Sequence, residues 1–347
     1  MKRVVVGISG GVDSSVAAVL LQKQGYEVVG VTFKFIDNFD DTDAKVVCDK
    51  LNIEHHTIDY RDIFKEKVID RFINDYNEGI TPNPCFICNR FVKFNFLYDA
   101  MKEFNCDYFA TGHYAKIKNG KLYKSVDLNK DQTYFISNVK KEQLNHVLFP
   151  LEGIDKAKVR EIALENGLIN ASKKDSTDVC FINDNFRSYM DENIKNIAGD
   201  VVDVESLEVI GKHDGLNKYT IGQRKGLNIG GNKDRIFVVG KDLEKNILYI
   251  ASGDNNDFLL TDSALIENVN WISDKKVDSC MAKFRYRQQE NEVKLEFLDD
   301  NKLRVYYPQK IKSVTPGQAA VFYLDNECLG GGVIKEVYKD NKKVWYL

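Results

Sequence analysis

The chain lacks several features that would place it in a specialised class of protein. No apolar run is long enough to cross a bilayer, and no charged-then-apolar leader opens the sequence. The formal net charge is only −3, so the excess of Lys and Arg that is typical of nucleic-acid-binding proteins is missing. We therefore expect a soluble protein with no membrane partner, in which any binding of RNA depends on local basic patches.

The cysteines lack the regular spacing of a disulfide framework. There are seven, an odd number in a chain without an export signal, which is typical of free or reactive thiols in a reducing compartment. A cytoplasmic location is therefore expected. Four cysteines lie in apolar or strand-like patterns and are predicted to be buried small residues: Cys48, Cys106, Cys280 and Cys328.

At 347 residues the chain can form two or three domains. Over residues 2–108, apolar runs and helical patterns alternate in the order βαβαβααβ, which predicts a parallel sheet covered by helices on both faces. Helical patterns cover residues 90–104 and 140–166. After about residue 199, short alternating runs between Gly, Asn and Asp indicate β structure in small barrels or sandwiches, and residues 219–223 are predicted to form a strand that ends in a Gly-rich loop. We predict an α/β domain at 1–198, a small β-rich domain at 199–262 and a β-barrel at 263–347.

The first predicted strand ends at Ile8 and leads into Ser9-Gly10-Gly11-Val12-Asp13-Ser14-Ser15, after which a helix begins. Glycines let the backbone approach a phosphate, and the amides of such a turn and of a helix N-terminus point at it. The Gly-Lys-Ser/Thr ending of a Walker loop is absent. The segment resembles instead the SGGxDS loop of the ATP pyrophosphatase (PP-loop) superfamily. Members of that superfamily transfer AMP from ATP to a carbonyl-type oxygen and release pyrophosphate.

An adenylated oxygen is a leaving group, and a thiolate or persulfide that replaced it would deliver sulfur. Cys85 and Cys88 lie in Thr-Pro-Asn-Pro-Cys-Phe-Ile-Cys-Asn-Arg, where two prolines predict an extended loop before a helix. A thiolate is favoured at a helix N-terminus and beside a cation. Cys180 follows Lys173 and Lys174, which would also favour an anion. These cysteines are therefore the candidate sulfur carriers.

Eight segments, in the same order from residue 3 to about 337, together resemble the tRNA-specific 2-thiouridylase family (MnmA/TrmU). They are residues 9–15, 83–89, 110–114, 130–132, 174–182, 222–227, 285–287 and 315–318. The resemblance implies that the C2 oxygen of the wobble uridine (position 34) of tRNA is adenylated. It also implies that Cys180 receives a persulfide from a sulfur carrier protein or cysteine desulfurase. Its terminal sulfur then attacks C2, and Cys88 either frees sulfide or closes a Cys88–Cys180 disulfide, with release of AMP.

The resemblance also implies roles for individual residues, with Mg²⁺ as the companion of ATP. The implied ATP-binding residues are Gly7, Ile8, Ser9, Gly10, Gly11, Val12, Asp13, Ser14, Phe33 and Gly112. The target base is expected at Asn83, Pro84 and Cys85. The implied tRNA-binding residues are His113, Lys130, Asp131, Gln132, Arg285, Tyr286 and Gln318.

Cys85 departs from the family pattern, because many members have Asp at this position. Besides the persulfide relay, Cys85, Cys88 and Cys180 could therefore be three ligands of a [4Fe–4S] cluster. Zinc bound by the Cys85-x-x-Cys88 pair is less favoured, since a lone CxxC lacks a second ligand pair. Three other functions also stay open: thiolation of a different tRNA base, thiolation of a small molecule, and non-catalytic RNA binding. The intact phosphate loop argues against the last.

Overall fold

The computed structural model describes residues 1–174, 179–182, 186–227, 235–254, 256–299 and 301–347. The helices span α1 Val12–Lys23, α2 Thr42–Leu51, α3 Arg61–Phe64, α4 Asp70–Asn77, α5 Pro84–Cys88, α6 Phe94–Glu103, α7 Thr133–Ile136, α8 Lys156–Glu165 and α9 Phe186–Asn193. The π-helical segments Lys65–Ile69 and Asn89–Lys93 join α3 to α4 and α5 to α6. Short 3₁₀ turns span Lys141–Asn145, Leu216–Lys218 and Asp257–Leu259. Among these helices none is long and apolar enough to span a bilayer.

Eighteen strands are found in the described ranges. They are β1 Arg3–Gly7, β2 Glu27–Lys34, β3 Glu54–Asp59, β4 Tyr108–Ala110, β5 Lys116–Lys118, β6 Lys121–Tyr123, β7 Val147–Leu148, β8 Gly199–Asp203, β9 Val209–His213, β10 Ile236–Asp242, β11 Ile247–Ser252, β12 Leu260–Trp271, β13 Ser279–Lys283, β14 Asn291–Asp299, β15 Lys302–Lys312, β16 Ala319–Leu324, β17 Glu327–Lys339 and β18 Lys342–Lys343.

The N-terminal part is built on a parallel sheet in the order β3-β2-β1-β4-β7. Successive residues of β1 point to opposite faces of the sheet, and since these residues are apolar, both faces are covered by helices. Val5 packs with α6 and its neighbours, whereas Val4 and Val6 pack with α1 and α2. All three valines have no solvent exposure. The predicted α/β fold with a parallel sheet is confirmed.

Local signals explain where most of these helices begin and end. The left-handed residues Gly25 and Asn52 follow α1 and α2, as expected of residues that tolerate positive φ. The helix predicted at 90–104 instead begins at Pro84, since Asn83 caps it by accepting a hydrogen bond from the Phe86 amide and proline is well suited to the first helical position. The prediction of an extended loop up to Cys88 was therefore wrong.

Two other local predictions also differ from the structure. The stretch 140–166 was predicted to be helical throughout, but a 3₁₀ turn and β7 precede α8 there. Residues 219–223, predicted as a strand, form no strand. In both cases short apolar runs gave ambiguous periodicity.

The second half of the chain is β-rich, as predicted. A four-stranded sheet has the order β10-β11-β8-β9. Strands β12, β15, β14, β13, β16 and β17 then form a closed six-stranded barrel, because β12 pairs with both β15 and β17. Strand β12 begins at Leu260, shortly before the predicted boundary at 262. The three-domain division of 1–198, 199–262 and 263–347 stays a prediction.

The α/β part and the barrel are joined by backbone and side-chain contacts. The hairpin β5–β6 extends the barrel through a pairing of Tyr123 with Glu327. The Tyr134 hydroxyl, on α7, donates to the Ala319 carbonyl at 2.9 Å, and Asn270 Nδ2 donates to the Val139 carbonyl at 2.9 Å. The candidate site therefore lies in a part of the molecule where β structure from the C-terminal half contacts the parallel-sheet domain.

Candidate active site

The phosphate loop lies at the carboxyl edge of the parallel sheet. The chain passes from β1 to β2 and β3 on one side and then returns to β4 on the other side of β1, and a crevice forms at such a switch point. Gly10 has φ +71°, a conformation that favours glycine. Gly11 precedes α1 without any side-chain cap on the first helical amides. Those amides are thus the donors that an anion would find at the start of a twelve-residue helix.

Serine hydroxyls hold the loop in shape. The Ser9 amide donates to Ser14 Oγ at 3.2 Å, and the hydroxyls of Ser14 and Ser15 donate to the Gly11 carbonyl at 3.0 and 2.9 Å. Asn170 Nδ2 reaches the same loop from outside, at 3.0 Å from the Gly10 carbonyl and 2.9 Å from Ser15 Oγ. Asn170 is nearly inaccessible to solvent and carries no motif that would have revealed this role.

Gly112 joins this site from the end of β4. A Cβ atom placed there would lie 2.7 Å from both the Asp13 carbonyl carbon and the Ser14 nitrogen. Only glycine allows so close an approach to the first turn of α1. The structure therefore brings together the predicted ATP-binding residues 7–14 and Gly112, while Phe33 is buried in an aromatic group with Phe35, Tyr60 and Phe96. Direct contact of each of these residues with ATP stays a prediction.

Asp13 is held by two side chains. The Tyr114 hydroxyl donates to Asp13 Oδ1 at 2.9 Å, and Lys156 Nζ donates to the same oxygen at 2.6 Å. Lys156 opens α8, far along the chain from Asp13, and no sequence signal marks it as part of this site. A lysine beside a phosphate loop supplies positive charge where anionic phosphates would lie. Lys156 is thus a functional candidate that sequence reasoning missed.

The three candidate thiols lie close enough for their charges to interact. The proximity of Cys180 raises the pKa of both Cys85 and Cys88, after the larger effect of burial. Cys85 and Cys180 are solvent-exposed residues whose thiol pKa values are nevertheless raised mainly by burial; the three cysteines and their surroundings are called the thiol recess below. All seven cysteines are free thiols. A disulfide between Cys88 and Cys180 therefore stays a prediction for catalysis.

The expected activation of Cys88 is not found in this structure. Cys88 is the last residue of α5, and its residue exposure is 8%. Burial raises the pKa of its thiol to about 12, whereas Lys93 acts in the opposite direction, through its charge and through its backbone amide. The prediction that Cys88 is a helix N-terminal thiolate was wrong, because the helix begins at Pro84 and the first turn belongs to Cys85.

Lys93 is the cation whose charge acts on all three thiols. It ends the π-helical segment after Cys88, and its charge lowers the pKa values of Cys85, Cys88 and Cys180. These effects are smaller than that of burial. A π segment often occurs at a functional site, because the wider turn changes which side chains share one face. Lys173, one of the two lysines that the sequence suggested for Cys180, instead pairs with Asp43 at 2.6 Å.

Cys180 is positioned by the residue that follows it. Phe181 is buried and makes edge-to-face contacts with Phe64 and Phe72, on α3 and α4. These contacts fix the backbone beside the Cys180 thiol. Residues Asp175, Ser176 and Thr177 of the preceding motif lie outside the described residues.

The three cysteines were also tested as ligands of a metal. All three belong to the described part of the chain, where no group of three or more His, Cys, Asp or Glu side chains is arranged to hold a metal ion. These side chains are therefore not arranged around a single metal ion, and the [4Fe–4S] alternative stays a prediction. The side chains of Cys85, Cys88 and Cys180 are considered below as thiols only.

Several residues predicted to bind tRNA have partners within the protein. Asp131 accepts from the Ser125 amide and the Thr133 hydroxyl, and burial raises its pKa. Gln132 Oε1 accepts from the Tyr114 amide at 2.9 Å. His113 shares a 2.8 Å hydrogen bond with Thr111, and burial holds its pKa well below the ordinary value, so the ring is neutral. Gln132 thus holds the backbone of Tyr114, whose hydroxyl binds Asp13, and contact of these residues with RNA stays a prediction.

Arg285 and Tyr286 lie where the three parts of the chain meet. Arg285 Nη2 donates to the Ile221 carbonyl at 2.8 Å and to the Thr315 hydroxyl at 2.6 Å. Burial lowers the pKa of its guanidinium, whose Nε has no partner in the structure. Tyr286 packs against Phe135, with ring centroids 4.4 Å apart. A partly buried cation with an unused donor, beside the half-buried rings of Phe135 and Tyr286, suits a phosphate or base.

Family models match nearly the whole chain. The model described as a tRNA methyl transferase HUP domain matches residues 2–184, that of a tRNA methyl transferase PRC-barrel domain matches 187–252, and that of an aminomethyltransferase beta-barrel domain matches 261–334. Among solved structures, a 4-thiouridine synthetase–RNA complex with bound ATP has a TM-score of 0.39 at 19% identity, covering 55% of this chain and 49% of that chain.

Curated relatives resemble the chain from end to end. The tRNA-specific 2-thiouridylase MnmA of Bacillus velezensis is 44% identical over 367 residues, covering 99% of this chain and 98% of the relative. The MnmA of Mycoplasma capricolum is 45% identical over 373 residues, covering 97% and 100%. Identity of this extent, on a chain that carries the phosphate loop and the thiol recess, means that the protein belongs to the tRNA-specific 2-thiouridylase (MnmA) family.

Proposed function

We propose that this protein is an ATP-dependent tRNA 2-thiouridylase that converts the wobble uridine of tRNA to 2-thiouridine. The observation that carries the proposal is the 44–45% identity over essentially the whole chain to curated enzymes of that name. The site is consistent with the proposal. An anion-binding loop is what adenylation needs, and a set of thiols is what sulfur transfer needs.

Adenylation uses the residues at the carboxyl edge of the parallel sheet. The amides at the start of α1 bind the phosphates of ATP, and Lys156 balances their charge beside Asp13. Asp13 is the carboxylate that would hold Mg²⁺, which when bound neutralises phosphate charge. The uridine C2 oxygen attacks the α-phosphorus, a C2–O–AMP bond forms, and pyrophosphate leaves.

Sulfur transfer uses the thiol recess. A sulfur carrier protein or cysteine desulfurase leaves a persulfide on Cys180, which is solvent-exposed. The terminal sulfur attacks C2, and AMP leaves with the bonding electrons. Cys88 then attacks the sulfur of Cys180, the S–S bond to the base breaks, and 2-thiouridine forms together with a Cys88–Cys180 disulfide. An external dithiol reduces that disulfide before the next turnover.

The alternative route begins with Cys88 attacking the Cys180 sulfur of the persulfide before C2 is attacked. This frees hydrosulfide, which adds to C2 and displaces AMP, and it leaves the same disulfide. Both routes consume one adenylated uridine and one persulfide. They differ in whether the base is ever joined covalently to Cys180.

Mass analysis of the wobble nucleoside tests the proposal. Unmodified tRNA is incubated with ATP, Mg²⁺, a persulfide donor and the protein, and AMP and 2-thiouridine are measured. We expect Cys180→Ala and Cys88→Ala to abolish thiolation, whereas Cys106→Ala, a partly buried cysteine away from the recess, leaves it unchanged. Absence of tRNA-dependent AMP release would reject the function. Undiminished thiolation by Cys180→Ala would reject the assignment of the sulfur carrier.

Cys85 requires its own test, since it stands where many relatives have Asp. Cys85→Asp restores a carboxylate at the start of α5, where an acidic residue is also favoured by the helix. If Cys85 only lines the target-base pocket, this variant keeps or improves thiolation. Loss of thiolation in Cys85→Asp, with tRNA-dependent AMP release retained, would show that a third thiol takes part in sulfur transfer.

A further inference from the structure

Residues 79–83, here called the clasped segment, connect α4 to α5, the helix that carries Cys85 and Cys88. Two of its five residues are Gly79 and Pro82, and it has no regular secondary structure. Its carbonyl oxygens must therefore find hydrogen-bond donors elsewhere. The donors to the carbonyls of Gly79, Thr81 and Pro82 come from the two β-rich parts of the chain.

The first donor is Lys241, on strand β10. Its Nζ donates to the Gly79 carbonyl at 3.3 Å. Burial lowers the pKa of this amine to about 8, and no carboxylate contributes to the change. Leu243 packs against Gly79 itself, so closely that a Cβ on Gly79 would lie 2.6 Å from Leu243 Cδ2. A buried amine without a counter-ion is costly to keep, which favours a specific role for it.

The second donor is Gln318, between Gly317 and strand β16. Its Nε2 donates to the Thr81 carbonyl at 2.8 Å and to the Pro82 carbonyl at 3.2 Å. Gly317 has φ +88°, and a Cβ there would lie 2.1 Å from Ile80 Cγ2. The barrel therefore approaches the clasped segment at van der Waals distance. Among the described residues, no other hydrogen bond reaches the carbonyls of Gly79, Thr81 and Pro82.

The end of the clasped segment is also tied to the barrel. Asn83, which caps α5, lies close enough to Tyr134 to lower the pKa of its hydroxyl, and that hydroxyl donates to the Ala319 carbonyl. Besides its backbone hydrogen bonds to α4 and α5, the clasped segment is thus linked to strand β10 and to residues 317 and 318. The place of α5, and with it of the Cys88 thiol, depends on how the β-rich parts dock.

We infer that Lys241 and Gln318 are positioning residues for the reaction, which hold the clasped segment and thereby set Asn83 and the Cys88 thiol relative to the bound base. The inference rests on the proposed function. It gives the β-rich half a role in catalysis besides any contact with RNA. Gln318 was predicted to contact tRNA; in this structure its amide is used within the protein.

Lys241→Met is the decisive variant, because it keeps the length of the side chain, removes the donor and changes no residue assigned to RNA or to catalysis. We expect the single-turnover rate constant for thiolation to fall about tenfold, since a lost charge-assisted hydrogen bond misplaces the helix, while KM for tRNA stays unchanged. Lys312→Met is the matched control. Lys312 also donates to a backbone carbonyl, that of Asp254, but does not touch the clasped segment.

Hydrogen exchange of residues 79–88, measured without tRNA or ATP, gives a readout that does not depend on the reaction. We expect faster exchange in Lys241→Met and in Leu243→Ala, and wild-type exchange in Lys312→Met. Wild-type exchange and an unchanged rate constant in Lys241→Met would overturn the inference. If the wild-type protein makes no 2-thiouridine, the proposed function fails, and the exchange data alone decide whether the segment is held as described.

Discussion

Cys88 is expected to react slowly with disulfide reagents until substrates bind. With its pKa raised to about 12 by burial, its thiolate fraction at pH 8 is about 10⁻⁴, against about 10⁻¹ for a thiol at the ordinary value of 9.0. The more basic thiolate is also a stronger nucleophile. For a Brønsted coefficient near 0.45, the rate constant of the thiolate itself is about 20-fold higher, which offsets part of the loss. The expected rate of exchange is therefore about 50-fold below that of a free cysteine. Limited access at 8% exposure slows it further.

The assay is labelling of the native protein with an aromatic disulfide between pH 7 and 11, followed by peptide mass analysis. The same cysteine in the denatured chain supplies the reference rate, and Cys180, an exposed residue, serves as an internal comparison. Because the raised pKa leaves little thiolate, the Cys88 rate should still rise tenfold per pH unit above pH 9. A Cys88 rate at pH 8 within about fivefold of the denatured reference would refute the reasoning.

Three substitutions test other parts of the site. Gly112→Ala places a methyl group 2.7 Å from the first turn of α1, which should cost about 1–3 kcal/mol of unfolding free energy and weaken binding of an ATP analogue. Gly7→Ala, whose Cβ would lie at an ordinary 3.4 Å from Leu97, is the control for stability alone. Stability is measured by denaturant titration and binding of the analogue by calorimetry. Lys156→Met should weaken ATP binding about tenfold through loss of a charge-assisted contact, and equal affinity would contradict its place in the site. Phe181→Ala should destabilise the protein by about 3–5 kcal/mol and abolish thiolation. Phe181→Leu should retain most of the stability and most of the thiolation. Thiolation by a folded Phe181→Ala variant would show that Cys180 does not need the packing of Phe181.

The phosphate loop could be predicted because its signals are local. A strand, a glycine turn and a helix follow one another within a few residues, and φ of +71° at Gly10 and the uncapped start of α1 agree with that pattern. The parallel sheet followed from the alternation of apolar runs for the same reason. The start of α5 was missed although a signal was present: Asn83-Pro84 is a capping residue followed by a proline at the first helical position.

The remaining parts of the site depend on contacts that no short pattern encodes. Lys156 reaches Asp13 from a distant helix, and Asn170 reaches the Gly10 carbonyl from beyond that helix. The raised pKa of Cys88 depends on the packing around it, whereas its neighbours in sequence suggested the opposite. Gln318 was assigned to RNA from a resemblance in sequence, and only the fold shows that its amide holds two carbonyl groups of the clasped segment.

The protonation of Cys88 sets a condition on the order of events. Both proposed routes need Cys88 as a thiolate, yet burial favours the neutral thiol in the RNA-free protein, and Lys93 offsets only part of that effect. A change on substrate binding that moved Lys93 closer or opened the recess to water would lower this pKa and raise the thiolate fraction. The clasped segment is the part of the chain through which the β-rich domains could transmit such a change to α5. A thiol that is neutral until RNA has docked also avoids premature attack on the persulfide, which would release sulfide with no base to receive it.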